Sequence, residues 1–292
     1  MEISTSPIRI NSLERRPAWL KVRLNTGPQY TKLKALMRQM TLNTVCEEAH
    51  CPNIFECWQN RTATFMILGD ICTRACRFCA VTSGKPTWND VREPERVAKA
   101  TQKMKLAHVV VTSVARDDLV DGGSSIFADT INKIRENNPN TRIEVLVPDF
   151  QGSESALDTV VGAKPDIINH NIETVERLQK KVRSKATYQR SLQLLERAKA
   201  KAPNKLTKSG LMLGVGEREE EVFQTMKDLA NIGCNILTIG QYLRPSKKHI
   251  PISRYYSPEE FAKFKEEGET MGFNHIESGP LVRSSYHAHE HV

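Results

Sequence analysis

The 292-residue sequence has no long apolar run, few aromatic residues and no sign of a secretory signal. No apolar stretch approaches the roughly 18 residues that a membrane-spanning helix needs. Residues 1–7 contain no basic segment followed by an apolar one. Phe, Trp and Tyr make up only 6% of the chain, whereas single-stranded nucleic-acid sites interleave basic with aromatic residues. We therefore expect neither a membrane protein nor a nucleic-acid-binding one.

Cysteine is also scarce over most of the chain. Six cysteines lie between Cys46 and Cys79, and only Cys234 follows them. A disulfide framework would spread its cysteines, whereas clustered thiols without a secretory signal are typical of metal ligands in a reducing compartment. We therefore expect a cytoplasmic protein that binds metal in this region, and we interpret Cys234 as a small buried residue.

Acidic residues are outnumbered by basic ones, with 42 Lys and Arg against 34 Asp and Glu and a net charge of +8. The basic residues recur in segments 180–185, 199–208 and 247–248. This pattern is typical of solvated helix surfaces, and it also fits a surface that docks an acidic protein.

The first cysteine motif, Cx3Cx2C, follows the apolar segment 63–69, which we predict to be a buried strand. We call its members the loop cysteines: Cys72, Cys76 and Cys79. A loop at the carboxyl end of a strand is where α/β folds place their chemistry. A [4Fe–4S] cluster on three cysteines leaves one iron open to a small molecule, and Phe78 would offer an aromatic face beside it. A zinc site completed from elsewhere in the chain, or three buried thiols, is the alternative.

This motif resembles that of the radical S-adenosylmethionine (SAM) superfamily. The resemblance implies that the open iron chelates SAM and that an electron from the cluster cleaves its sulfonium. The product is a 5′-deoxyadenosyl radical, which removes hydrogen from an unactivated carbon as no side chain can alone.

A second cysteine motif, Cx4Cx5C, precedes the first. We call its members the upstream cysteines: Cys46, Cys51 and Cys57. A Cys3His zinc site that includes His50 is the alternative here, although the adjacent side chains of His50 and Cys51 point different ways. Two three-cysteine motifs in tandem are more specific than either one.

The two motifs, together with the sequence Arg-Ser-Ser-Tyr at 283–286, resemble the lipoyl synthase family from about residue 40 onward. The resemblance implies a [4Fe–4S] cluster on the loop cysteines that cleaves two SAM molecules in turn. It implies a second, auxiliary [4Fe–4S] cluster on the upstream cysteines, with Ser285 as a further ligand, that donates two sulfur atoms. These atoms would enter C6 and C8 of an octanoyl chain attached to a lipoyl carrier domain.

The same resemblance implies several partners. The carrier would be an E2 subunit or the glycine cleavage H protein, the electron donor a ferredoxin or flavodoxin, and a further carrier would repair the auxiliary cluster. A biotin-synthase-like or methylthiotransferase-like enzyme would share only the first motif. A non-catalytic zinc-binding module is the alternative from another class.

Beyond the loop cysteines, strand-like and helix-like segments alternate, which predicts α/β units of normal size. Predicted strands are 63–69, 107–113, 141–147, 166–169, 209–214 and 235–239. Predicted helices are 30–40, 93–105, 124–137, 153–161, 174–181, 187–202, 218–232 and 258–271. Six units predict a partial (β/α)6 TIM-like barrel of the radical SAM type, whose open side would admit a large substrate. We expect an N-terminal extension at 1–60, the barrel at 61–271 and a C-terminal strap at 272–292.

Residues that follow the predicted strands are candidates for binding SAM. Ser113 begins a polar, glycine-containing segment, 113–123, that favours ligand binding or a helix-capping turn equally. Alternation along the fourth strand would direct Asn169, Asn171 and Glu173 toward the barrel axis. The family resemblance suggests that Asn171, Glu173 and Arg183 lie near SAM.

Overall fold

The computed structural model describes residues 16–21, 27–49, 51–59, 63–183, 185–286 and 288. An eight-stranded sheet organises these residues in the order β1-β2-β5-β6-β7-β8-β9-β10. Its strands are β1 (Asn43–Thr44), β2 (Thr64–Ile67), β5 (His108–Ser113), β6 (Arg142–Leu146), β7 (Ile167–Asn169), β8 (Leu206–Leu213), β9 (Ile236–Gln241) and β10 (His275–Gly279). A separate parallel pair consists of β3 (Ile71–Cys72) and β4 (Thr82–Ser83).

The six predicted strands form the continuous centre of this sheet. From β2 to β9 each strand pairs in parallel with the next one in the order given, and β10 continues the parallel pairing on β9. Only β1 runs antiparallel, against β2. Parallel strands joined by helical crossovers are the arrangement of a partial TIM-type barrel, which confirms the predicted fold class. The prediction omitted β1 and β10 at the two edges.

Helices cover the outside of the sheet, and short polar signals begin several of them. Ser153, Thr187 and Ser257 each accept a hydrogen bond from the first turn of the helix that follows. The helices are α1 (Pro28–Gln39), α2 (Val45–Glu48), α3 (Ile54–Gln59), α4 (Glu93–Met104), α5 (Ser124–Asn137), α6 (Glu154–Gly162), α7 (Gln179–Val182), α8 (Tyr188–Lys201), α9 (Glu219–Asn231) and α10 (Pro258–Thr270). None of the described helices is long and apolar enough to cross a membrane.

The core lies between the sheet and these helices. Val109, Val110 and Val111 are fully buried in β5, because a parallel strand is covered on both faces. On α9 the buried residues Val222 and Met226 are four apart, so one side of the helix packs inward. This core holds the strand ends at fixed positions.

The prediction of one continuous helix at 174–181 is wrong. The segment 174–181 instead contains a 3-10 turn at Glu176–Leu178 and only then α7. The side chain of Gln179 donates a hydrogen bond of 2.7 Å to the carbonyl oxygen of Thr174. A side chain thus satisfies a carbonyl that an α-helix beginning at 174 would have bonded through its backbone.

Candidate cofactor and metal site

A cavity of about 1200 Å³ opens at the carboxyl ends of the strands. Residues at or just beyond the ends of four central strands line it. They are Ser113, the last residue of β5, and Val147, Asn171 and Tyr242, which follow β6, β7 and β9. Two upstream cysteines, Cys46 and Cys51, and all three loop cysteines line the same cavity. The two motifs, separated in sequence, therefore share one space.

The loop cysteines are brought to the cavity by a sharp turn after β2. Leu68 has a φ of 67° and Gly69 a φ of 88°, so the chain reverses there instead of continuing the strand. Cys72 then pairs with Ser83 in the small β3–β4 ladder, and the backbone N–H of Cys79 bonds to the carbonyl of Cys76. The loop is thus held by its own backbone at both ends.

A buried arginine fixes the middle of this loop. The Arg74 guanidinium bonds to Asp117 at 2.8 Å and to Asp149 at 2.6 Å. Burial opposes the charge of Asp149, but the hydrogen bond from Arg74 outweighs it and lowers the pKa of that carboxyl to about 2. Asp149 also forms an ion pair with Arg190 at 3.2 Å. Sequence reasoning missed this network because its members come from four separate segments.

The upstream cysteines lie on two short helices. Cys46 is on α2, which Thr44 caps by accepting a hydrogen bond from Glu47 N, and Cys57 is on α3. Cys51 lies between the two helices, and its backbone N–H bonds to the carbonyl of Cys46 at 3.1 Å. His50, the fourth ligand of the alternative zinc site, lies outside the described residues.

The C-terminal segment closes against the upstream cysteines. The Asn53 amide donates to the Leu281 carbonyl at 2.7 Å, and the Thr64 hydroxyl donates to Ser285 Oγ at 2.8 Å. A small pocket beside the main cavity is lined by the upstream cysteines together with Asn53, Thr64, Arg283, Ser285 and Tyr286. Three thiols, the Ser285 hydroxyl and the Arg283 guanidinium thus line the same small pocket, although Ser285 is more than 220 residues from Cys57 in sequence.

Burial governs the protonation of both cysteine sets. It raises the pKa of Cys46 to about 12, with the neighbouring Cys51 adding to the shift, and it raises the pKa of Cys79 to about 12. Burial raises the pKa of Cys76 to about 11, although the charge of Arg183 opposes it. Such thiols become thiolates only when a bound cationic centre stabilises the charge.

The donor sets are chemically suited to iron–sulfur clusters. Each set supplies three soft thiol side chains, and cysteine thiolates are the ligands that hold such clusters in proteins. All three loop cysteines and two upstream cysteines, Cys46 and Cys51, line the same cavity.

The five candidate SAM-binding residues also line the large cavity: Phe78, Ser113, Asn171, Glu173 and Arg183. The Arg183 guanidinium donates to the Asn171 carbonyl at 3.1 Å, which holds the two segments together. Burial raises the pKa of Glu173, and the charge of Arg183 opposes that shift. Within the described part of the chain, the Ser113 hydroxyl and Asn171 Oδ1 have no hydrogen-bond partner. These two atoms are therefore available to a polar ligand.

Asn169, which the alternation argument groups with Asn171 and Glu173, does not line the cavity. Its amide donates to Glu144 Oε1 at 2.8 Å, and Glu144 also binds Lys208 at 2.9 Å. All three side chains are fully buried. Burial opposes the charge of Glu144, but Lys208 outweighs it and lowers the pKa of the carboxyl to about 2. The three side chains together crosslink β6, β7 and β8.

Gly240 allows the C-terminal segment to lie across β9. A Cβ at this position would collide with the Val282 carbonyl oxygen and come within 3.2 Å of Arg283. We expect Gly240→Ala to displace the segment and to reduce the sulfur insertion that the family resemblance implies by about tenfold or more, while the chain still folds. Gly162→Ala is the control, because its Cβ would meet no atom within 4 Å. Equal product yields from the two variants would contradict this packing.

Comparison with known proteins agrees with this geometry. A sequence model of the Radical SAM superfamily matches residues 66–229, and one of the N-terminal domain of lipoyl synthase matches residues 7–51. Lipoyl synthase of Rubrobacter xylanophilus is 60% identical over 275 residues, which cover 94% of this chain and 86% of that protein. Lipoyl synthase of Symbiobacterium thermophilum is 58% identical over 291 residues, covering 99% and 91%.

Solved structures agree in fold. Streptococcus suis SuiB bound to its precursor peptide SuiA superposes with a TM-score of 0.59 at 10% identity, over 85% of this chain. The chain spans about half, 52%, of the length of SuiB. Methylornithine synthase superposes with a TM-score of 0.54 at 12% identity, over 85% of this chain and 81% of that one. At these identities the likeness concerns the barrel alone.

The barrel and the loop cysteines define a radical SAM enzyme, with SAM and a [4Fe–4S] cluster as its cofactors. Within that superfamily, the chain belongs to the lipoyl synthase family. Sulfur insertion is the reaction of this family, and a lipoyl carrier protein is its substrate. The resemblance seen in the two cysteine motifs is therefore confirmed.

Proposed function

We propose that the chain inserts two sulfur atoms, at C6 and C8 of a carrier-bound octanoyl chain, within the single cavity that both cysteine sets line. The observation that carries this proposal is the shared cavity: the three loop cysteines, two upstream cysteines (Cys46 and Cys51) and Ser285 border it. A carbon radical must meet its sulfur source before it escapes, so the two sets have to face one substrate. When bound, one [4Fe–4S] cluster would supply the electron that cleaves SAM, and an auxiliary one would supply sulfur.

On the radical-generating side, we propose that the loop cysteines hold the first cluster and that nearby polar groups orient SAM. Asn171 Oδ1 would accept a hydrogen bond from the amino acid or ribose part of SAM, and the Ser113 hydroxyl would donate or accept one. Glu173 and Arg183 supply one charge of each sign, which suits a ligand that carries both an ammonium and a carboxylate. Phe78 offers its ring as a wall of the same space.

The cavity also has an apolar part that suits an eight-carbon acyl chain. Its apolar lining residues include Val45, Ile54, Met66, Val147, Leu211 and Met212. Burial of each methylene there would contribute about 0.8 kcal/mol. The acyl chain would lie between the loop cysteines and the upstream cysteines.

On the sulfur-donating side, we propose that the upstream cysteines and Ser285 hold the auxiliary cluster. A hard hydroxyl oxygen is a poor match for iron held by soft thiolates, so Ser285 would be the most labile ligand. Thr64 donates a hydrogen bond to Ser285 Oγ and so stabilises its oxygen in the form that binds a cation. Arg283 brings a positive charge beside Cys51 and would stabilise a negatively charged centre.

The proposed division of the chain follows from this assignment. Residues 1–60 would carry the auxiliary cysteines, residues 61–271 the radical-generating barrel and residues 272–292 the strap with Ser285, although β10 in that last range pairs with the barrel sheet. All seven cysteines are free thiols, as a reducing cytoplasm would keep them. A ferredoxin or flavodoxin would supply electrons, a separate carrier would rebuild the auxiliary cluster, and the acyl carrier would be an E2 subunit or the glycine cleavage H protein.

Metal analysis of anaerobically purified protein tests the assignment of two clusters. We expect about eight irons per chain and no stoichiometric zinc, because each cluster contains four irons. One or two zincs per chain would instead support the zinc-binding module and overturn the proposal. About four irons would mean that only the loop cysteines hold a cluster, as in a radical SAM enzyme without a sulfur-donating centre.

Charge at the cavity predicts how the carrier docks. Three basic side chains, Arg16, Lys21 and Lys34, line the cavity on its N-terminal side. An acidic carrier domain would be attracted to them over long range, and salt would screen that attraction. We expect the product rate with an intact carrier to fall at least threefold between low and high salt, and the rate with a short octanoyl peptide to fall much less. Equal salt sensitivity for the two substrates would remove the case for docking there.

A further inference from the structure

A second basic surface adjoins the loop cysteines. We call it the outer basic patch and define it by five exposed side chains: Arg77, Lys180, Lys181, Lys247 and Lys248. None of the five lines the cavity. Within the described residues, none of the five forms an ion pair with a carboxylate.

Backbone hydrogen bonds hold the patch against the cysteine loop. Arg77 lies between two loop cysteines, and its N–H donates to the Val182 carbonyl at 3.0 Å. The Ile250 N–H donates to the Arg77 carbonyl at 2.9 Å. The His249 ring bonds to the Cys79 carbonyl at 2.9 Å. The pair Lys180 and Lys181 directly precedes Val182, and the pair Lys247 and Lys248 directly precedes His249. Each pair is therefore next in sequence to a residue that is hydrogen-bonded to the loop.

We propose that the outer basic patch docks an acidic protein that carries a low-potential one-electron centre. The inference rests on the proposed function, because reductive cleavage of SAM consumes one electron per SAM. The donor would be oxidised by one electron and the centre held by the loop cysteines reduced by one. Backbone hydrogen bonds join the patch to the loop that carries those cysteines, and none of its five side chains lines the cavity that the acyl chain would enter. Transient redox complexes bury little area and depend on charge complementarity, which suits five unpaired cations.

The test is a pair of charge-reversal variants, Lys180→Glu/Lys181→Glu and Lys247→Glu/Lys248→Glu. We measure 5′-deoxyadenosine formation with reduced flavodoxin or ferredoxin at limiting concentration and, separately, with dithionite. With the protein donors we expect each variant to lose at least about tenfold in kcat/KM for the donor, since charge steering raises association rates by this much or more. With dithionite we expect wild-type rates. The control Lys103→Glu/Lys227→Glu reverses two exposed lysines on α4 and α9 and should behave as wild type with every reductant.

The possible results distinguish failure of the docking site from failure of the proposed function. Unchanged kcat/KM for the protein donors in both variants would overturn the docking site. Equal losses with dithionite would also overturn it, because the defect would then lie in the cysteine loop. A loss confined to reactions with the intact acyl carrier would assign the patch to that partner instead. If the wild-type protein forms no 5′-deoxyadenosine with dithionite, the proposed function fails, whatever the variants do.

Discussion

Replacing any loop cysteine with alanine should abolish 5′-deoxyadenosine formation, whereas replacing an upstream cysteine should spare it and abolish sulfur insertion. The loop cysteines lie beside Glu173 and Arg183, while the upstream cysteines lie beside Arg283 and Ser285. Each set thus has its own polar surroundings, although both border one cavity. We expect losses of more than about 100-fold in the affected step, because removing a direct ligand costs more than disturbing its support.

The sharpest comparison is between Cys76→Ala and Cys57→Ala. Both cysteines are half-buried, and each variant removes one thiol from a three-cysteine set, so the variants are matched in chemistry. We count irons and 5′-deoxyadenosine per chain and weigh the octanoyl peptide. Cys57→Ala should retain about four irons and consume SAM without adding sulfur. Loss of SAM cleavage in Cys57→Ala with those four irons present would contradict the division of labour.

Ser285→Ala should leave SAM cleavage intact and reduce sulfur insertion far more than Ser284→Ala does. The two serines are adjacent but have different partners: Ser285 Oγ accepts from Thr64 at 2.8 Å, and Ser284 Oγ accepts from Asn171 at 2.6 Å. Only Ser285 belongs to the pocket of the upstream cysteines. Losing its hydroxyl also leaves the Thr64 donor without this partner, which costs about 1 kcal/mol in stability and does not by itself prevent folding.

The readout for this pair is lipoyl product formed per 5′-deoxyadenosine released. Ser284→Ala weakens a contact to Asn171, so we expect it to lower SAM turnover while keeping the ratio of product to 5′-deoxyadenosine. Ser285→Ala should lower the ratio itself. Ser285→Cys adds a third test: a softer fourth ligand should hold iron more firmly and slow sulfur release. Equal ratios for the two alanine variants would contradict the assignment of Ser285.

The six central strands could be predicted because their residues are β-branched or apolar and buried on both faces. β10 could not, since its sequence His-Ile-Glu-Ser-Gly contains a single buried residue, Ile276, and neither a helical nor an alternating pattern. β1 has only two residues, too few for any periodicity. Both strands pair with the sheet through their backbones, and each contributes one buried side chain, Thr44 in β1 and Ile276 in β10.

The candidate site was also only partly predictable from the sequence. The cysteine spacings and the Arg-Ser-Ser-Tyr sequence are local patterns, so the amino-acid sequence alone displays them. The contacts that fix these residues are not local: Arg74 reaches Asp149, and Thr64 reaches Ser285 across more than 200 positions. The alternation argument worked for Asn171 and Glu173 but placed Asn169 with them, because periodicity gives the direction of a side chain and not its depth in the barrel.

Mass spectrometry of an octanoylated carrier peptide tests the central claim most directly. The anaerobic, reconstituted protein is incubated with SAM, reductant and the peptide, and the peptide is then weighed. We expect a mass increase of two sulfur atoms, because each hydrogen removed from carbon leaves on 5′-deoxyadenosine and each new thiolate takes up a proton. Two 5′-deoxyadenosines should form per dithiol product. Consumption of SAM without any sulfur on the peptide, in protein that contains about eight irons per chain, would contradict the account.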